Sequence, residues 1–129
     1  MELLFLIKSE AVKPYVEKIE TEAKFAEKSW GTYTVVDVQP GAMTVKVSMK
    51  PGESMSYHCH YHRNEIWMVV SGTGVVIIDD QKKNVKSGDV VMIKSECKHT
   101  VKAISQLDIV EVQIGQEISV EDKEKYMLE

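Results

Sequence analysis

Residues 52–72 read Gly-Glu-Ser-Met-Ser-Tyr-His-Cys-His-Tyr-His-Arg-Asn-Glu-Ile-Trp-Met-Val-Val-Ser-Gly. The segments Ser54–His60 and Glu65–Val70 each read as a strand, with a short polar link between them. Residues two apart on a strand share a face, so His58 and His60 point together while Cys59 points away. Glu65 opens the next strand and can bring a carboxylate oxygen to the same place. His99 begins a later strand and can complete the set from across a barrel. Three imidazole nitrogens and one carboxylate oxygen suit one divalent transition metal ion such as Mn, Fe, Ni, Co or Zn, with a position left open for water or substrate.

Outward from this stretch the same period-two pattern continues. Thr32–Val38, Thr44–Met49, Val75–Ile78, Val90–Ile93, His99–Ile104 and Ile109–Ile114 are rich in Val and Ile and read as further strands. Turn signals separate them at Pro40-Gly41, Pro51-Gly52, the Ser71–Gly74 segment, Asp79-Asp80 and the Ser87–Asp89 segment. Strands at this spacing with no helices between them predict an all-β fold, an antiparallel sandwich or small barrel. Before it, residues 1–28 read as an extension. It holds an apolar strand at Leu3–Ile7 and a helix from about Lys13 to Lys24, with Pro14 in the first turn and Val12, Val16 and Ile19 at helical spacing. The barrel is expected over residues 29–118. After Gly115, Ser119 with Asp122 fits a helix start, so residues 119–129 are expected to form a short C-terminal helix or a tail.

The chain has 129 residues, enough for one domain. It is too short for a nucleotide-binding domain plus a second catalytic one. The formal charge of −4 disfavours nucleic acid. No apolar run approaches the length needed to cross a bilayer, and the start lacks the basic region of a secretory signal. The chain therefore reads as cytoplasmic, with no membrane partner. Cys59 and Cys97 read as reduced thiols in a chain that needs no staple. Arg63 is the one arginine among sixteen basic residues and directly follows the histidine cluster.

The spacing Gly52-x5-His58-x-His60-x4-Glu65-x6-Gly72 resembles the first motif of the cupin superfamily, with each signature residue in place. The second cupin motif is met in part. Gly88 and His99 fit, while Lys94, Glu96 and Ala103 stand where Pro, Gly and Asn are usual. The resemblance implies a double-stranded β-helix, or jelly-roll barrel, with His58, His60, Glu65 and His99 as metal ligands. A narrower resemblance covers roughly residues 28–122. Lys28 to Tyr33, Pro40-Gly41, Pro51-Gly52, His60 to Trp67, Val70 to Gly72 and Glu111 to Gly115 look like the cupin domain of type II mannose-6-phosphate isomerase. In bacteria that domain often follows a mannose-1-phosphate guanylyltransferase domain. There are departures. That family usually has Gln at the position of His58 and Pro at that of Ser29. Its tail usually carries arginines, where this chain has Lys125 and ends at Glu129.

The implied activity is aldose–ketose interconversion of a small sugar phosphate through an enediol. That chemistry needs a base or acid, a group that stabilises the enediolate, and a holder for the charged end. Arg63, with its bidentate fork, is the candidate holder, or else one half of a structural ion pair. His62 is a candidate acid or base, or an exposed loop residue. Glu111 shares a strand face with Gln113; if that face lines the lumen, Glu111 is a second candidate base. Trp67 is a pocket wall or core. Lys82, Lys83 and Lys86 read as a solvated patch around a turn. Two rival readings are a non-catalytic sugar-binding or sensor cupin and a cupin enzyme of other chemistry, such as an oxygenase. A homodimer is expected, with Leu3–Ile7 covering a partner's sheet edge.

Overall fold

A computed structural model of the chain describes residues 25–116, 118 and 122–127. The strand expected at Leu3–Ile7 and the helix expected from Lys13 lie outside the described residues. The described chain is all strands and turns. In order they are β1 (Phe25–Lys28), β2 (Gly31–Gln39), β3 (Ala42–Met49), β4 (Tyr57–Cys59), β5 (Asn64–Ser71), β6 (Thr73–Ile78), β7 (Gln81–Lys86), β8 (Val90–Ile93), β9 (His99–Ala103), β10 (Leu107–Ile114) and β11 (Glu124–Tyr126). They form two antiparallel sheets, ordered β1-β2-β3-β10-β5-β8 and β11-β4-β9-β6-β7. This is the jelly-roll barrel of the cupins. Among the described residues no helix is long and apolar enough to cross a membrane.

Alternation decides what each sheet buries. On β10, Leu107, Ile109, Glu111 and Gln113 face inward and are buried, while Asp108, Val110 and Val112 are only half-buried. Register then grades the interior from one end to the other. At one end Ile109 pairs with Val69 and Val47. Val76 pairs with Val101 in the facing sheet, and all five side chains belong to one apolar core. Toward the other end Glu111 pairs with Trp67, and Gln113 with Glu65, while β9 runs from Ala103 and Val101 to His99. The same strands therefore supply an apolar floor and a polar, titratable mouth. A burial of this kind stabilises by roughly 1.5–3 kcal/mol per large apolar side chain, which lets the floor carry the fold while the mouth carries polar groups.

Turns fix these registers. Gly72 links β5 to β6 with φ +91, and a Cβ there would lie 1.9 Å from the Gln106 carbonyl oxygen. Only glycine fits. At Gly115 a Cβ would lie 2.2 Å from the His62 carbonyl oxygen, so the end of β10 packs directly against the loop that carries His62 and Arg63.

Several local expectations change. The charged segment after Asp79-Asp80 is not merely a patch around a turn. It is strand β7, paired to β6 from Thr73↔Lys86 to Ile78↔Gln81. Both aspartates have positive φ, 47° and 67°, as a two-residue hairpin turn of the primed type requires. β7 carries almost no apolar pattern because it is a sheet edge with exposed residues at every position but Val85. Edge lysines of this kind block pairing with another chain. The expected strand Ser54–His60 is shorter. Ser54 makes only an isolated bridge to Lys102, and His60 lies just past β4. The barrel sheet also begins before residue 29, since β1 pairs with β2. In place of a C-terminal helix, the described end of the chain forms β11, paired with β4 through Glu124↔Cys59, Lys125↔His58 and Tyr126↔Tyr57. The helix start expected at Ser119 lies outside the described residues.

Candidate metal centre and its cavity

β4 and β9 meet at one register pair, His58↔His99. Directly opposed residues on neighbouring strands share a face, so the two imidazoles meet inside the barrel, with ring centroids 4.4 Å apart. His60 joins them from the end of β4, its ring centroid 4.8 Å from that of His58 and 5.3 Å from that of His99. All three are buried, and one ligand nitrogen from each lies within 4.8 Å of the others.

The backbone fixes how these rings present themselves. His58 Nδ1 donates to the Ser56 carbonyl at 2.7 Å, His60 Nδ1 to the Asp122 carbonyl at 2.5 Å, and His99 Nδ1 to the Cys97 carbonyl at 3.0 Å. With the proton committed to Nδ1, each ring keeps an Nε2 lone pair; that of His60 accepts from Arg63 at 2.9 Å in the metal-free site. Carbonyls in this position orient ligating histidines and raise their basicity. His99 Nε2 is buried with no hydrogen-bond partner. Three convergent lone pairs, one of them orphaned in the interior, fit a metal ion. Burial holds the imidazoles neutral as ligation demands. Desolvation lowers His58 to about 3, with the His99 charge adding to it, and lowers His60 to about 4, with Arg63 adding to it. His99 is lowered for the same leading reason.

Glu65 lies beside the triad. Its carboxylate oxygens are 3.3 Å from His60 Nε2 and 3.8 Å from His99 Nε2. It also accepts from Trp67 Nε1 at 2.9 Å and from Arg63 Nε at 2.8 Å. Burial alone would raise this carboxyl, but Arg63, then His60 and His99, and the Trp67 N–H together hold it down at about 2. Glu111, next to it on β10, goes the other way. Burial first, and the Glu65 charge second, push it up to about 8. Two neighbouring carboxyls thus stand as one anion and one acid at neutral pH, a division found where one carboxyl must keep a proton.

The sequence expectations sort clearly on this geometry. His58, His60 and His99 are brought together, with Glu65 against them. Glu111 and Gln113 do face the lumen. Arg63 is present, but its fork donates to Glu65 Oε2 and, at 2.9 Å, to His60 Nε2. Its fork thus forms an ion pair inside the site. His62 is exposed and lines a separate surface depression with Tyr61, Asn64 and Ser95. Trp67 is fully buried core and also holds Glu65. Cys59 and Cys97 are free thiols, and Cys59 points outward against the Tyr126 hydroxyl, 3.4 Å away.

A cavity of about 370 Å3 opens above the triad, bounded by Trp30, Tyr33, Glu111 and Gln113 among others. That volume suits a small molecule. Sequence reading missed the parts played by Asp122 and by three lysines. Asp122 clamps the site loop: its carboxylate accepts from the Tyr61 and His62 backbone N–H groups, both at 2.8 Å, while its carbonyl holds His60. Lys28, Lys123 and Lys125 also line the cavity; the signal that could have found the latter two is their period-two spacing in the tail.

Glu96 explains how the rewritten second motif still works. It stands where glycine is usual and keeps a left-handed backbone, φ 70°. Its N–H donates to the His60 carbonyl at 2.6 Å. The left-handed turn is made here without glycine.

A barrel of this topology with a buried triad of inward-facing histidines defines a cupin with a candidate metal centre. Residues 16–127 match the family described as mannose-6-phosphate isomerase C-terminal, and the chain belongs to that family. Among curated relatives, it is 29% identical over 120 residues to the mannose-1-phosphate guanylyltransferase ManC of Salmonella typhimurium, covering 86% of this chain and 25% of that protein. It is 32% identical over 99 residues to the alginate biosynthesis protein AlgA of Pseudomonas syringae pv. tomato, covering 75% and 20%. The chain thus spans about a quarter of the length of the curated relatives it matches. Similar solved structures include the oxalate decarboxylase of Bacillus subtilis at pH 4.6, with TM-score 0.69 at 22% identity, covering 78% of this chain and 28% of that one. Another is KdgF from Halomonas sp., with TM-score 0.63 at 20% identity, covering 74% and 83%. At that identity they show the shared fold.

Proposed function

We propose that this domain is a metal-dependent sugar-phosphate isomerase of the mannose-6-phosphate type. The observation that carries the reading is the juxtaposition of three buried, convergent imidazoles with the buried carboxyl of Glu111 beside one cavity. Family membership supplies the substrate class. A divalent ion held by His58, His60 and His99, with Glu65 adjacent, would supply Lewis-acid polarisation of neighbouring carbonyl and hydroxyl oxygens.

The chain's own residues supply the rest. Glu111 holds its proton near neutrality and can give it up or recover it there, as acid–base catalysis requires. Glu65 stays ionised beside it, so the pair offers one donor and one acceptor. Arg63 holds Glu65 in place, and Trp67 fixes the same carboxylate from the opposite side. Trp30 and Tyr33 wall the cavity and reduce its exposure to water, which strengthens each of these electrostatic effects.

The test is direct interconversion of mannose 6-phosphate and fructose 6-phosphate by protein loaded in turn with manganese, cobalt, nickel, iron or zinc. Turnover should fall at least about a hundredfold in Glu111→Gln and vanish in His60→Ala. Saturable binding of either sugar phosphate without turnover by any loaded form would replace the enzyme with a sugar-binding cupin. Oxygen uptake by the iron form would replace it with an oxygenase.

A further inference from the structure

Strand β11 is anchored on its outer face by tyrosines. Tyr126 packs edge-on against Tyr57, with ring centroids 6.4 Å apart, and reaches the Cys59 thiol. Glu124 accepts a hydrogen bond from the Tyr61 hydroxyl on that same face. The inner face of the segment is different. Lys125 is paired with His58 and so shares its inward direction. Lys123, two residues earlier, lines the same cavity, as does Lys28 from β1. Among the described residues, none of these three ammonium groups has a carboxylate within ion-pairing distance.

All three lysines keep solvent-exposed surface, which places them at the rim of the cavity. Desolvation, then the charges of Arg63, Lys125 and Lys28, lower the pKa of Lys123. Lys28, Lys123 and Lys125 line the same cavity as His58 and His60. The cations therefore converge over the triad. Glu65 acts on Lys123 from the cavity wall, but its carboxylate is already paired with Arg63 at 2.8 Å. A metal ion would add to the excess. Like charges gathered at a cavity mouth with no counter-charge mark a place for an anion.

We propose that Lys28, Lys123 and Lys125 form an anion-binding rim that grips the dianionic phosphate of the substrate above the histidine triad. The substrate class rests on the isomerase reading; the rim itself stands on charge and geometry. The sugar then lies between the rim and the triad, with its phosphate end held away from Glu111.

Inorganic phosphate is the probe, titrated by calorimetry into zinc-loaded and zinc-free protein. Binding is expected in both, because ammonium groups rather than the ion hold it. Affinity should weaken roughly tenfold or more for each of Lys123→Ala and Lys125→Ala, as loss of a charge-assisted hydrogen bond does. The cobalt(II) absorption of the triad should not change in these variants, and Lys125→Arg should restore binding. Phosphate binding that requires zinc and is unaffected by the double alanine variant overturns the proposal, as does the absence of saturable binding. Phosphate binding with no sugar-phosphate turnover removes the isomerase reading and leaves the rim standing.

Discussion

Replacing Glu111 by Gln isolates the proton that the site is built to keep. Glu111 has its pKa raised from 4.5 to about 8, so the folded chain binds this proton more tightly than the unfolded chain does. The stability it contributes is complete below about pH 4.5 and is lost as pH rises through about 8. Glutamine resembles the protonated acid in shape and charge, so at pH 5 the metal-free variant and wild type should agree within about 1 kcal/mol. The lowered pKa values of His58 and His60 affect both proteins equally and cancel in the comparison. At 1.36 kcal/mol per unit, wild type should lose roughly 3–4 kcal/mol relative to Glu111→Gln between pH 5 and pH 8. Urea unfolding in chelator at several pH values in that range measures this. Parallel pH profiles for the two proteins would refute the assignment of a buried, protonated Glu111, and with it the donor in the proposed chemistry.

Three further outcomes follow from the geometry. In chelator, the stability contributed by His58 and His60, present above pH 6.5, should be lost as pH falls through about 4 for His60 and about 3 for His58; zinc should shift the acid-unfolding midpoint downward, read by circular dichroism. Trp67→Phe removes the donor to Glu65 Oε1 in a buried site and should cost about 1–3 kcal/mol in urea unfolding. Glu96→Gly relieves a left-handed backbone at a non-glycine residue and should raise stability by about 1 kcal/mol, the part of the strain that glycine's added chain entropy does not offset; a thermal melt checks it.

The jelly roll was legible because its inner strands alternate strictly. β10 reads Leu, Ile, Glu, Gln on one face, and the structure confirms that face as the lumen. The triad was legible because two of its members share a strand face and the third opens another strand. What escaped detection lacked such a pattern. β7 is an edge strand with one buried residue, so alternation had nothing to mark. β11 has three residues, and its pairing to β4 depends on contacts between residues some sixty positions apart, such as Tyr61 with Glu124. The role of Asp122 runs through backbone atoms, its own carbonyl to His60 and the N–H groups of Tyr61 and His62, and no residue pattern announces that. Arg63 stood out by composition, yet only the structure shows its fork turned onto Glu65 and His60.

The claim on which the rest depends is that His58, His60 and His99 hold one metal ion through their Nε2 atoms. Titration of the metal-free protein with cobalt(II), followed by visible absorption, tests it directly. The account predicts d–d bands that saturate at a single equivalent and are lost in each of His58→Ala, His60→Ala and His99→Ala. Bands absent from the wild type, or unchanged by His99→Ala, would contradict it.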